Sequence, residues 1–219
     1  MTGRGALNHR IAVTLGGSAG GFEALCQILE GLPREFSLPI VVVLHVSSKA
    51  ASRLPETLAW NCKLPVEEAR DKALLQAGRV YVAPPDYHVL FDSASSLALS
   101  VDPPVHFSRP SIDVLFESAA DALGCEAVGV LLSGANRDGA NGLRAIANAG
   151  GKIMIQRPDE AASPTMPSEA LRTCPTGRAM RLSEICSRLR EIDQMASRHT
   201  VSDWLTSELM KSEIMRGKP

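Results

Sequence analysis

Apolar positions in this chain fall into two recurring textures: short unbroken runs, and longer stretches at helical spacing. The runs are Ile11-Ala12-Val13-Thr14-Leu15, Pro39-Ile40-Val41-Val42-Val43-Leu44, residues 78–85, residues 127–132 and residues 152–156. Continuous runs of this kind suit strands buried on both faces, as in a parallel sheet. Between them, Phe22, Leu25, Ile28 and Leu32 repeat at helical spacing, and residues 53–60 read as a helix. A helix capped by Ser111 carries Ile112, Leu115, Phe116, Ala119 and Leu123 on one face and stops at Gly124. Another helix ends at Gly150. Alternating strands and helices predict an α/β fold, a doubly wound, mostly parallel sheet flanked by helices, with ligand chemistry at its carboxyl edge. His88-Val89-Leu90-Phe91, a polar turn over residues 92–96, and Leu97-Ala98-Leu99 predict an inserted β-hairpin.

From Ser183 the texture changes. Ile185, Leu189, Ile192 and Ala196 form one amphipathic stripe, and Trp204, Leu205 and Leu209 form another. The expected organisation is a main domain over residues 1–198 with a helical appendage over 199–219. The stripe from Ser183 onward is either a contact element for a partner or a helix packed on the domain.

Composition narrows the function. The chain has 219 residues, 45% hydrophobic and 21% charged, enough apolar material for a real core. Its net charge of −1, from 23 basic and 24 acidic residues, argues against nucleic-acid binding, which needs a concentrated basic face. No apolar run approaches the roughly 18 residues of a membrane span, and no apolar stretch with a cleavage site follows the N-terminus, so a secretory signal is not expected. Five scattered cysteines (Cys26, Cys62, Cys125, Cys174, Cys186) never form C-x-x-C and read as small buried or half-buried free thiols in a reducing compartment, with the cytoplasm as the expected location. No metal-ligand spacing and no cofactor motif stands out, so neither metal nor cofactor is expected.

The candidate chemistry lies where the runs end. Gly16-Gly17-Ser18-Ala19-Gly20-Gly21 follows the first run and precedes a helix. Such a turn lifts a serine hydroxyl above the sheet edge in the manner of a nucleophile elbow, although the register is not G-x-S-x-G. The same hexapeptide suits an anion-binding loop, against which stand the missing G-x-G-x-x-G register and the missing P-loop lysine. His45 ends the second run, and Asp138 lies six residues beyond Leu132. In a parallel sheet these ends share one edge, so hydroxyl, imidazole and carboxylate converge into the apparatus of acyl transfer. Alone, His45 could be a satisfied structural residue and Asp138 a helix cap; together they point to a triad. His88 and His106 are weaker base candidates, because neither directly ends a long buried run.

These residues also carry a family resemblance. The hexapeptide, Leu44-His45-Val46, Ala83-Pro84-Pro85-Asp86-Tyr87-His88 and Asp102-Pro103-Pro104-Val105 resemble the catalytic domain of the chemotaxis protein-glutamate methylesterases. So do Arg109-Pro110-Ser111-Ile112-Asp113-Val114-Leu115-Phe116, Val128-Gly129-Val130-Leu131-Leu132-Ser133-Gly134, Arg137-Asp138-Gly139-Ala140 and Met166-Pro167. The resemblance implies a serine hydrolase that cleaves methyl esters from glutamate side chains of chemoreceptors and also deamidates receptor glutamines. Residue by residue it implies Ser18 as nucleophile, His45 as general base and Asp138 as its orienting carboxylate. It adds the backbone N–H groups of Ala135 and Ala19 as oxyanion donors. The implied partners are methylated cytoplasmic receptor helices and a signalling protein. The alternative is a non-catalytic docking module that keeps the fold.

Three departures stand out. The family's usual Thr-Gly-Met-Gly-x-Asp-Gly is Ser133-Gly134-Ala135-Asn136-Arg137-Asp138-Gly139 here, which loses a methionine and brings a cation near the carboxylate. The usual serine-threonine pair is Ser18-Ala19. Regulated members carry a receiver domain before the esterase, whereas ten residues precede Ile11, so the expectation is a free-standing esterase or a fragment.

Overall fold

A computed structural model describes residues 11–46, 53–60 and 62–198. Its main sheet has seven strands, all parallel: β1 (Ala12–Gly17), β2 (Ile40–Leu44), β3 (Val66–Glu68), β4 (Val80–Val82), β7 (Ala127–Leu131), β8 (Lys152–Gln156) and β9 (Ala179–Met180). Their order is β3-β4-β2-β1-β7-β8-β9. From β1 the chain passes to β2, then to the edge strand β3 and back into β4 between them, before returning to the other side of β1 and winding outward through β7, β8 and β9. The reversal falls between β1 and β7, where an open α/β sheet forms its ligand crevice. Register brings the strand ends level: Gly17 pairs with Leu44, and Gly16 with Leu131.

The strands are buried on both faces, and alternate residues feed two separate cores. Ile40, Val42 and Leu44 belong to one, Val41 and Val43 to the other. The first core is covered by α1 (Gly21–Gly31), α2 (Leu54–Ala59) and a helix, α6, over residues 182–198. The second is covered by α3 (Ile112–Leu123), α4 (Ala140–Asn148) and α5 (Thr165–Thr173), with β5 (His88–Ser93) and β6 (Ser96–Ser100) beside them.

The doubly wound sheet and the inserted hairpin form as the pattern predicts, β5 and β6 pairing antiparallel. Ser111 caps α3, its side chain accepting from the Val114 N–H, and Gly124 follows at φ 57°. Two elements carry too little pattern to predict. The strand β9 has two residues and exists only through its pairing with β8. The helix α5 contains Pro167 and only three buried residues, Met166, Pro167 and Ala170.

The stripe on α6 is core. Ile185 and Leu189 are fully buried, Ile192 and Ala196 nearly so, and Asp193 Oδ1 accepts from the Ser37 N–H at 2.9 Å and its hydroxyl at 2.5 Å. The second stripe, at Trp204, Leu205 and Leu209, lies outside the described residues. No described helix is long and apolar enough to cross a membrane. The five cysteines are free thiols; Cys125 is exposed, not tucked away.

Candidate active site

Ser18 sits where β1 breaks into the turn before α1. Its carbonyl accepts from the Gly21 N–H at 2.7 Å, closing the turn, and its N–H donates to Ser133 O at 2.8 Å. Gly20 has φ 73°, and a Cβ there would come within 2.9 Å of Ser133 Oγ, so both conformation and space call for glycine. Ser133 ties the β1 and β7 loops together: its hydroxyl donates to Ala19 O at 2.7 Å and accepts from the Ser163 N–H at 2.9 Å. Gln156 Oε1 accepts the Ser133 N–H at 2.8 Å. The spacing of apolar residues gave no sign of Ser133 or Gln156 as supports. Among the described residues, neither the Ala19 nor the Ala135 N–H donates to a protein acceptor.

His45 follows β2, one strand over, and its N–H donates to Gly17 O at 3.1 Å. Its ring Nε2 lies 2.9 Å from Asp138 Oδ2, with 12% of the histidine side chain exposed and none of the aspartate. The approach is close but lacks in-line hydrogen-bond geometry, and Nδ1 is buried without a partner. Thus no hydrogen bond joins Ser18 Oγ to this ring. Resting hydrolases often show such looseness.

Asp138 does not cap α4, the helix that follows it. Its carboxylate instead meets the N-terminus of α3: Oδ1 accepts from the Ser111 hydroxyl at 2.9 Å and the Asp113 N–H at 3.0 Å, and Oδ2 from the Ile112 N–H at 2.8 Å. Burial alone would raise its pKa. The contact with His45 and the N–H bonds from Asp113 and Ile112 outweigh that and hold it below the usual carboxylate range. An anion is therefore fixed behind the imidazole.

The other histidines have different duties. His88 is 1% exposed, its Nδ1 accepts the Ser111 N–H at 3.1 Å, and its Nε2 lies 3.3 Å from Pro103 O. His106 Nε2 lies 3.3 Å from Asp113 Oδ2. His106, Asp113 and Asp138 thus meet, their ligand-type atoms within 4.8 Å, a grouping hidden by their sequence spacing. Both Asp138 oxygens are already engaged, and Asp113 Oδ1 takes the Gly142 N–H at 2.7 Å. A cation there would have to displace donors that build the α3 terminus, so the cluster fits a bracing network better than a metal centre.

A cleft of about 350 Å³ is lined by His45 together with Leu44, Ala83, Pro85, Phe107 and Arg109. Arg109 donates to the carbonyls of Val101 and Asp102. Among the described residues Arg137 forms no ion pair, with Asp138 or any other acid.

Comparison with known proteins fits this geometry. The family model for the CheB methylesterase matches residues 13–189. An Anaeromyxobacter dehalogenans protein named protein-glutamate methylesterase/protein-glutamine glutaminase 2 is 42% identical, the match covering 82% of this chain and 52% of that protein. A Leptospira interrogans protein whose name carries the same two activities is 38% identical, covering 84% of this chain and 95% of that one. The crystal structure of the Thermotoga maritima CheB methylesterase catalytic domain superposes with a TM-score of 0.79 at 26% identity, over 83% of this chain and 98% of that domain.

Proposed function

The chain belongs to the CheB methylesterase family, and from that premise we propose that it removes methyl esters from glutamate side chains of chemoreceptors, with Ser18, His45 and Asp138 as its triad. The single observation that carries the assignment is the pairing at the sheet edge. A buried anion, braced by three donors, lies 2.9 Å from one imidazole nitrogen, and the other nitrogen of the ring has no partner.

In this reading Ser18 Oγ attacks the ester carbonyl as His45 takes its proton. Asp138, facing Nε2, fixes the ring's tautomer and stabilises the imidazolium. That leaves Nδ1 as the nitrogen turned to the serine. The carbonyl oxygen becomes an oxyanion, served by the unengaged N–H groups of Ala135 and Ala19. Collapse expels methoxide, which leaves as methanol with the proton from His45. Water then repeats the sequence on the acyl-serine, releasing the glutamate carboxylate and restoring the hydroxyl. A glutamine amide passes through the same steps with ammonia leaving, which matches the second activity in the relatives' names.

The substrates are the methylated cytoplasmic helices of receptors, and the enzyme acts in the cytoplasm. A docking module without catalysis is not favoured, because the relatives are named for two hydrolytic activities. The test is methanol release from methylated receptor membranes. The wild-type protein should release it and Ser18→Ala should not; equal release by both would overturn the assignment.

A further inference from the structure

The lining of the cleft carries a feature that the chemistry does not use. Val105 and Ser108 pair through two backbone bonds, Val105 N–H to Ser108 O at 3.1 Å and Ser108 N–H to Val105 O at 2.9 Å. They enclose a two-residue turn in which His106 has φ 50° and Phe107 φ 61°. Positive φ at both central positions marks a primed turn, the setting in which Asn-Gly is the favoured pair. A bulky aromatic there is a real conformational outlier. Phe107 is also fully exposed, at 104% of its reference area, so its ring gains nothing from the fold.

The turn is nonetheless braced from both sides. His106 reaches Asp113 at the start of α3, and Arg109 is bonded to the carbonyls of Val101 and Asp102. Of the four described non-glycine residues with positive φ, three (Asp86, His106 and Phe107) belong to the cleft's lips or to this turn. Strain held in place by its surroundings and gathered at a site is a reason to look for function there.

The size of the cleft suggests what meets the ring. A helix with side chains is about 10 Å across and cannot enter a space of about 350 Å³. A single glutamyl ester side chain can. The substrate backbone then lies across the lips, where Phe107 projects. We propose that Phe107 is a substrate-docking residue that seats the methylated helix, its ring packing between side chains about one turn from the esterified glutamate. The inference rests on the methylesterase reading.

The experiment compares two substrates: methylated receptor membranes, read by methanol release, and 4-nitrophenyl acetate, a small ester with no helix to seat. Phe107→Ala should lower kcat/KM on receptor by about tenfold, mostly through KM, as loss of an aromatic anchor does. Its rate on the small ester should stay within about twofold, because chemistry with uniform binding removed is unchanged. Phe107→Gly should show the same receptor deficit with a raised melting temperature, since glycine relieves the turn. Phe107→Tyr should restore receptor turnover. Unchanged receptor turnover in Phe107→Ala, or an equal loss on both substrates, overturns the proposal. Wild-type protein releasing no methanol would instead overturn the methylesterase reading, and the docking role with it.

Discussion

Ser111 links His88 directly, and His45 by way of Asp138, yet the fold treats the two histidines in opposite ways. Both of His88's ring nitrogens face partners: Nδ1 accepts the Ser111 N–H, and Nε2 donates to Pro103 O. Those partners fix its tautomer and leave no lone pair for a reaction. His45 has an anion at one nitrogen and nothing at the other. A buried polar atom without a partner costs about 1–3 kcal/mol, so it persists where a substrate or a moving side chain completes it. Ser111 joins the two regions: its N–H holds His88, and its hydroxyl holds Asp138. The satisfied histidine thus helps secure the serine that braces Asp138, the anion facing the unsatisfied one.

The comparison breaks most sharply at turnover. Ser18→Ala and His45→Ala should each reduce methanol release by about 10⁴-fold or more, and the double variant should be little worse, because the residues act as a unit. Melting temperatures should barely move. A purified, folded His45→Ala protein that keeps more than a few per cent of its rate would remove the histidine from the chemistry.

Asp138 belongs to both regions, so its loss should be felt twice. Asp138→Asn keeps the shape but presents the imidazole with an amide, and turnover should fall by about 10³–10⁴-fold. Asp138→Ala should also strip acceptors from the Ser111 hydroxyl and the N–H groups of Ile112 and Asp113. Denaturant titration should then show a loss of several kcal/mol, on the order of 3. Normal stability in the alanine variant would mean that the α3 terminus finds its acceptors elsewhere.

His88→Ala inverts the pattern. It empties a buried site and orphans the Ser111 N–H and Pro103 O, at a cost of about 2–4 kcal/mol. Turnover per folded molecule should stay within severalfold of wild type. A loss as deep as that of His45→Ala would show that His88 is more than a brace.

How much of this was legible in the sequence follows from what each part depends on. The strands β1, β2 and β7 are unbroken apolar runs, and burial on both faces writes itself directly into such runs. Ser18, His45 and Asp138 could be singled out because a parallel sheet brings strand ends to one edge whatever their separation. Asp138's bonds to α3 were not legible, because a cap normally serves the helix that follows and this one serves a helix 25 residues earlier. The meeting of His106 with Asp113 was hidden for a similar reason: it depends on the path of an irregular loop. Ser133, a small polar residue in a glycine-rich stretch, gives no periodic signal, and its role as a clasp exists only once two loops are adjacent. The stripe on α6 was visible, but only the tertiary structure shows that the domain itself covers it.

The smallest expected effect separates two buried acids that share the α3 terminus. Asp138 is held below the usual carboxylate range in the folded protein. Its contribution to stability is therefore present above the ordinary carboxylate pKa and lost as pH falls through the lowered one. Asp113 is shifted the other way, chiefly by burial and further by the charge of Asp138, with the Gly142 N–H and His106 offsetting part of the rise. Its contribution is present below the ordinary value and lost as pH rises through the raised one. Urea midpoints measured from about pH 3 to about pH 7, spanning the ordinary carboxylate range, should show the two signs. Relative to wild type, Asp113→Asn should gain stability steadily as pH rises, because the wild-type protein alone must ionise a buried carboxyl. Asp138→Asn should lose ground over the same rise, because the wild-type protein alone acquires the braced anion. If both differences move in the same direction with pH, the two acids titrate as one coupled pair and the division of labour between them fails.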